Sequence, residues 1–131
     1  MEMATNKKKL LITQSMAKVG WDLFNERGDI EAVQFPNTVT SGDFRALLAQ
    51  HAPVNGVALG VTPFSEPEIA ASKEMQVVAR IGVGYDAVDV PALTKKKIPL
   101  MVAGTANSPS VAEQAMFMSS WKLSPSEACA A

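Results

Sequence analysis

The sequence predicts a doubly wound α/β domain of the flavodoxin-like type, a parallel five-stranded sheet with helices on both faces. Short apolar runs alternate with helix-like segments along the chain. The connections are long enough for helical crossovers, which favours parallel pairing of right-handed βαβ units. The length, 131 residues with 47% hydrophobic and 19% charged residues, is that of one globular domain, able to bury roughly two thirds of its unfolded surface.

The strand candidates are Lys9–Thr13, Ala32–Phe35, Val54–Val61, Met75–Ile81 and Pro99–Ala103. Between the first two, Ser15–Arg27 places Met16, Val19, Leu23 and Phe24 on one helical stripe, and Gly28 is suited to end that helix. In Ser41–His51, Phe44, Leu47, Leu48 and His51 share a face, with Ser41 as N-cap. A short helix over Glu66–Ser72 and another over Val90–Lys97 follow, the latter ending in Lys95, Lys96 and Lys97, where the helix dipole favours cations. The last helix, Ser110–Met118, opens on Ser110-Val111-Ala112-Glu113, which reads as a capping box. The domain is expected over residues 1–118. Residues 119–131 form a divergent tail, expected to be poorly ordered.

A formal net charge of −1 gives no electrostatic reason to expect nucleic acid or an anionic membrane as partner. No apolar run approaches the roughly eighteen residues that span a bilayer, and Leu10-Leu11-Ile12 after the basic start is too short for a signal-peptide core. The single cysteine, Cys129, allows no internal disulfide, so a cytoplasmic location is expected. With one His and one Cys no metal site is expected. His51 reads as a helix-face residue, the methionines (Met75, Met101, Met116 and Met118 among them) as mostly core packing, and the two lysine triplets as solvated element ends.

Chemistry concentrates at two strand-to-helix junctions, Arg80-Ile81-Gly82-Val83-Gly84-Tyr85-Asp86-Ala87-Val88-Asp89 and Ala106-Asn107-Ser108-Pro109-Ser110-Val111-Ala112-Glu113. At the same end of a parallel sheet they would line a crevice with free backbone amides. Gly82-Val83-Gly84-Tyr85-Asp86-Ala87 formally matches a dinucleotide fingerprint. Asp86 and Asp89 would oppose a pyrophosphate there, however, and no acidic residue follows near Ala103–Thr105 to hold a ribose. Glycines flanking Val83 suit a sharp turn whose amides hold one carboxylate; the alternative is a turn that only joins strand to helix. The hydroxyl-rich phosphate loop of a flavin protein, the strand-ending Asp of a phosphoacceptor domain and the glycine-lysine loop of an NTPase are all missing from the corresponding loops.

At these junctions the chain resembles the D-isomer-specific 2-hydroxyacid dehydrogenases, the group of phosphoglycerate, glyoxylate/hydroxypyruvate and formate dehydrogenases. Met75–Asp89 is similar to the family's strand and substrate loop, and Ala106–Gln114 to the start of its connecting helix. Asn55-Gly56-Val57 and Ile98-Pro99 also fit. The resemblance implies a substrate-binding domain paired with a Rossmann NAD(P) domain, and reversible oxidation of a 2-hydroxy acid to a 2-oxo acid. It assigns the substrate carboxylate to the amides of Val83 and Gly84, a substrate contact to Asn107, and the nicotinamide end of NAD or NADP to Ser108. The family's catalytic arginine, glutamate and histidine and its true glycine-rich loop belong to the region after the connecting helix. No catalytic residue is therefore assigned here, no cofactor is expected to bind the chain alone, and Gly60 stands where many members carry an arginine. The expectation is the substrate-binding part of such an oxidoreductase, its partner a small 2-hydroxy or 2-oxo acid, with the nucleotide domain missing. The alternative is a truncated, non-catalytic remnant that binds small carboxylates or self-associates as a homodimer.

Overall fold

The computed structural model describes residues 7–122. Its centre is β3 (Val54–Leu59), every residue of which is buried. A strand buried on both faces reads as an unbroken apolar run and takes parallel neighbours on both edges. β1 (Lys8–Thr13) flanks one side, with Leu11 opposite Val57, and β4 (Lys73–Arg80) the other, with Val78 opposite Val57. β2 (Ile30–Phe35) extends the sheet beyond β1, and β5 (Leu100–Val102) beyond β4. The order β2-β1-β3-β4-β5 is the flavodoxin-like arrangement expected from the sequence.

The register slips between Val54 and Gly56 on the β4 side. The Asn55 side chain bridges both neighbouring strands here, accepting from the Lys9 amide of β1 at 3.0 Å and donating to Glu74 Oε2 of β4 at 3.4 Å. At Gly56 a side chain is excluded: an added Cβ would lie 2.7 Å from Leu10 Cδ2 and 3.0 Å from Val77 Cγ1.

Four helices join the strands: α1 (Lys18–Asn25), α2 (Ser41–His51), α3 (Glu66–Ser72) and α4 (Val90–Lys95). A fifth, α5 (Ser108–Lys122), follows β5. The core gathers Leu11, Phe35, Phe44, Leu48, Leu59, Phe64, Val78 and Leu93. Phe44 of α2 is its hub, with its ring 4.8 Å from Phe35 and 6.4 Å from Phe64.

Several helix ends differ from the sequence expectation. Ala17 is extended and the Met16 amide turns back to the Thr13 carbonyl at 3.1 Å, so α1 starts at Lys18 rather than Ser15. It stops at Asn25, before Gly28, because Glu26 and Arg27 close onto Asp22 and Phe24. Arg27 then clamps Asp29 through two bonds of 2.8 and 2.7 Å, whose hydrogen bonding lowers the Asp29 carboxyl to about 2. The expected stripe is not buried: Val19 and Leu23 are 71% and 61% exposed, while Trp21 and Phe24 are half-buried.

Thr40, not Ser41, caps α2, accepting from the Asp43 amide at 3.2 Å. The Ser110–Glu113 capping box does not form, because α5 begins two residues earlier. Asn107 fills the cap position, its carbonyl accepting from the Val111 amide at 3.0 Å. A carboxylate cap occurs instead at α3, where buried Glu68 accepts from Ser65 N and Oγ at 2.9 and 2.6 Å.

Met75 is buried, but Met101, Met116 and Met118 are exposed, which corrects the core reading of the methionines. Residues 108–120 of α5 are exposed on every side. The helix runs past Met118 to Lys122, and the remainder of the expected tail, with Cys129, lies outside the described residues.

Because Phe44 joins the rings from β2 and the β3–α3 connection, Phe44→Ala should cost about 3–5 kcal/mol of a total near 5–15 kcal/mol. A loss of unfolding free energy in urea of less than a third of that amount would show that the aromatic cluster is not the centre of the core.

Candidate functional site

Parallel pairing sends the connections after all five strands to one edge of the sheet, and the two strand-to-helix junctions meet there. β4 ends at Arg80, and the loop to α4 is tied down at both ends. The Ile81 amide donates to the Leu59 carbonyl at 2.9 Å. At the far end Phe64 and Val88 form a bridge, with Phe64 N donating to Ala87 O at 2.9 Å and Asp89 N to Phe64 O at 2.8 Å. Phe64 is fully buried and Val88 nearly so, which anchors this end in the core.

Between the anchors, Gly82 has φ of 146°, a conformation that side chains disfavour. Its carbonyl accepts from the Ala103 amide of the next junction at 3.0 Å. The Gly84 carbonyl accepts from Arg80 Nε at 2.8 Å. Both carbonyls therefore turn toward the protein. The amides of Val83 and Gly84 find no acceptor among the described residues, and Val83 is 41% exposed. Unpaired, solvent-facing amides in a turn form an anion-binding concavity.

Asn107 and Ser108 lie at the second junction, both exposed, on a turn held by Ala106 N to Ala103 O at 3.3 Å and Ser108 N to Thr105 O at 3.2 Å. The Gly82–Ala103 bond makes the two loops neighbours. No hydrogen bond links the Asn107 or Ser108 side chain to the 82–86 loop among the described residues.

Two features were not assigned a role from the sequence. One is Arg80, whose place directly before the glycine loop is the only signal of its strut function. Its Nη1 is buried and makes no hydrogen bond among the described residues. The other is a polar cluster at the ends of β1, β2 and β3. Asn37 Oδ1 accepts from Thr13 Oγ1 at 3.1 Å and Ser15 Oγ at 3.4 Å. An added Cβ on Gly60 would collide with that same Oδ1. Gly60 lies within the apolar run Val54–Val61, and nothing in the sequence pairs it with Asn37.

The described residues contain no group of three or more His, Cys, Asp or Glu placed to hold a metal ion. Nor do they suit a dinucleotide at the glycine loop. The start of α4, where a pyrophosphate would dock, is capped by the Asp89 carboxylate accepting from the Ala92 amide at 3.0 Å. The Asp86 carboxylate lies beside Gly84, 3.9 Å from where a Cβ would be.

The profile of the D-isomer specific 2-hydroxyacid dehydrogenase catalytic domain matches residues 10–127, and the chain belongs to that family. D-3-phosphoglycerate dehydrogenase of Synechocystis is 27% identical over 84% of this chain and 19% of its own length. Hydroxypyruvate reductase of Thermotoga maritima is 37% identical over 46% of this chain and 20% of its own. The NAD+-bound 3-phosphoglycerate dehydrogenase of Entamoeba histolytica superposes with a TM-score of 0.71 at 22% identity, covering 86% of this chain and 38% of that one. The chain thus spans about a fifth of the length of the curated relatives it matches.

If Arg80 holds the loop, Arg80→Gln should cost about 1 kcal/mol. Amide exchange at Val83, Gly84 and Tyr85 should accelerate while β3 stays protected. Unchanged exchange across the loop would remove Arg80 from this role.

Proposed function

We propose that this chain is the acid-holding part of a D-2-hydroxyacid dehydrogenase. The reaction of such an enzyme converts a 2-hydroxy acid and NAD(P)+ to a 2-oxo acid and NAD(P)H. The amides of Val83 and Gly84 receive the substrate carboxylate, Asn107 contacts the substrate from the neighbouring loop, and Ser108 faces the nicotinamide side. The observation that carries this reading is the commitment of the Gly82 and Gly84 carbonyls, which leaves two amides directed at solvent. The work of these residues is to bind and orient. The groups that move the hydride and the proton are assigned to parts of the longer enzyme that this chain does not match, in a cytoplasmic setting.

Two or three amides without a covering surface should give an affinity no better than about millimolar. In an amide NMR titration with glyoxylate or oxalate, Val83, Gly84 and Asn107 should shift first. Shifts centred on Lys7–Lys9 or Lys95–Lys97 would reduce the effect to charge attraction and overturn the assignment. The isolated chain should not oxidise NAD(P)H with glyoxylate, hydroxypyruvate or pyruvate above a buffer blank, since general acid–base help alone typically contributes 10²–10⁴-fold.

The exposure of Val111 (59%), Met116 (72%) and Met118 (60%) on α5 supports a second reading, a chain that self-associates without turnover. Sedimentation should then show mass rising with concentration, and Met116→Ser with Met118→Ser should suppress the rise. A monomer at all concentrations would exclude this reading.

A further inference from the structure

We propose that the acid accepted at this crevice is short and unphosphorylated, carrying one negative charge at its carboxylate and a neutral hydrogen-bonding group at its far end. This specificity rests on the carboxylate seat at Val83 and Gly84 proposed above. β3 and β4 are adjacent, about 4.8 Å apart, with Leu59 opposite Arg80, so the residue after β3 borders the loop that carries that seat. What stands there is Gly60, packed against Asn37.

A side chain at position 60 would collide with Asn37 Oδ1 and lie 3.2 Å from Ser15 Oγ, so no cation can project from the end of β3. The cluster that closes this position is neutral. Asn37 Oδ1 is committed to Thr13 and Ser15, while its Nδ2 has no acceptor among the described residues. One uncharged donor therefore remains for a ligand hydroxyl or carbonyl.

The charge balance points the same way. Among the described residues three cations stand at the ends of strands or in the first half of the following helices; two are paired with carboxylates, and Arg80 has no acidic partner and an unpaired Nη1. Lys18 pairs with Asp22 at 2.8 Å, Arg45 with buried Glu68 at 3.2 Å, and Arg80 Nε holds the Gly84 carbonyl at 2.8 Å. Arg80 supplies one positive charge under the loop, opposite one ligand carboxylate. The Asp86 carboxylate sits beside Gly84. A phosphoryl group would add about −1.5 to −2 charges beyond the single carboxylate that Arg80 can balance. The comparison sharpens the point, since the Synechocystis and Entamoeba relatives are phosphoglycerate dehydrogenases by name.

The test is an amide NMR titration of this chain with hydroxypyruvate and, separately, 3-phosphohydroxypyruvate at equal ionic strength. Hydroxypyruvate should shift Val83, Gly84 and the Asn37 side-chain amide together, and the phosphorylated acid should bind at least about tenfold more weakly, the step a single lost charged contact makes. Asn37→Ala should lower hydroxypyruvate affinity to that of pyruvate. Gly60→Lys combined with Asn37→Ala should reverse the preference toward the phosphorylated acid. Equal or tighter binding of the phosphorylated acid to the unaltered chain, with Val83 and Gly84 shifting, would overturn the specificity and leave the carboxylate seat standing. Hydroxypyruvate shifts at Val83 and Gly84 that leave Asn37 unmoved would also overturn it. Silence at Val83 and Gly84 with both acids would instead remove the seat itself, and the specificity with it.

Discussion

Burial of β3 on both faces leaves its backbone groups only β1 and β4 as partners, and both pair parallel to it. Parallel pairing forces every connection to cross back over a face of the sheet, so each strand ends at the same edge. The loops after β1, β2, β3 and β4 meet there, and the Asn37 bonds to Thr13 and Ser15 and the Phe64–Val88 bridge then tie them together. Gly60 and Arg80 are neighbours because β3 and β4 pair, and the Asn37 side chain reaches Gly60 across the end of β1. The requirement for a backbone-thin position inside the sheet, met by Gly56 between Leu10 and Val77, serves this arrangement at the other end of β3.

The polarity of the 82–86 loop follows from the disposal of its carbonyls. Each peptide carries one donor and one acceptor, and a loop that satisfies neither is merely solvated. In the 82–86 loop three acceptors are taken by the protein, Gly82 by Ala103, Gly84 by Arg80 and Tyr85 by Val88, while the amides of Val83 and Gly84 have no acceptor among the described residues. The result is a local excess of amide dipoles with the Arg80 charge beneath them. Gly82 makes this possible, because its φ of 146° turns its carbonyl toward β5.

The order of strands and helices was legible because each apolar run is bounded by polar segments of crossover length. The junction residues were legible too, since Gly82 and Gly84 follow directly on a strand. The helix ends were less so. Ser15 and Ser110 have the right chemistry for caps, but Ser15 donates to Thr13 and Asn37, and Asn107 reaches the cap position of α5 first. The apolar stripe of α1 carries the helical period and still faces water at Val19 and Leu23, because periodicity records a preference for burial and not the presence of a surface to bury against. The Asn37–Gly60 contact joins residues far apart in sequence and has no local pattern, so only the fold reveals it.

The site is also divided in how firmly it is held. Arg80, Gly60 and the far anchor at Phe64 and Val88 belong to the packed half of the sheet, where β1, β3 and β4 share the core. Asn107 and Ser108 follow β5, a three-residue edge strand with Met101 and Val102 exposed, and lead into a helix exposed on every side. Regions with few buried contacts open at lower free energy than the core. One backbone bond, from Ala103 to Gly82, joins the halves across the site. The amides of Val83 and Gly84, proposed above to receive a carboxylate, are therefore held by the packed half of the fold, whereas the position of Asn107 depends on that single bond.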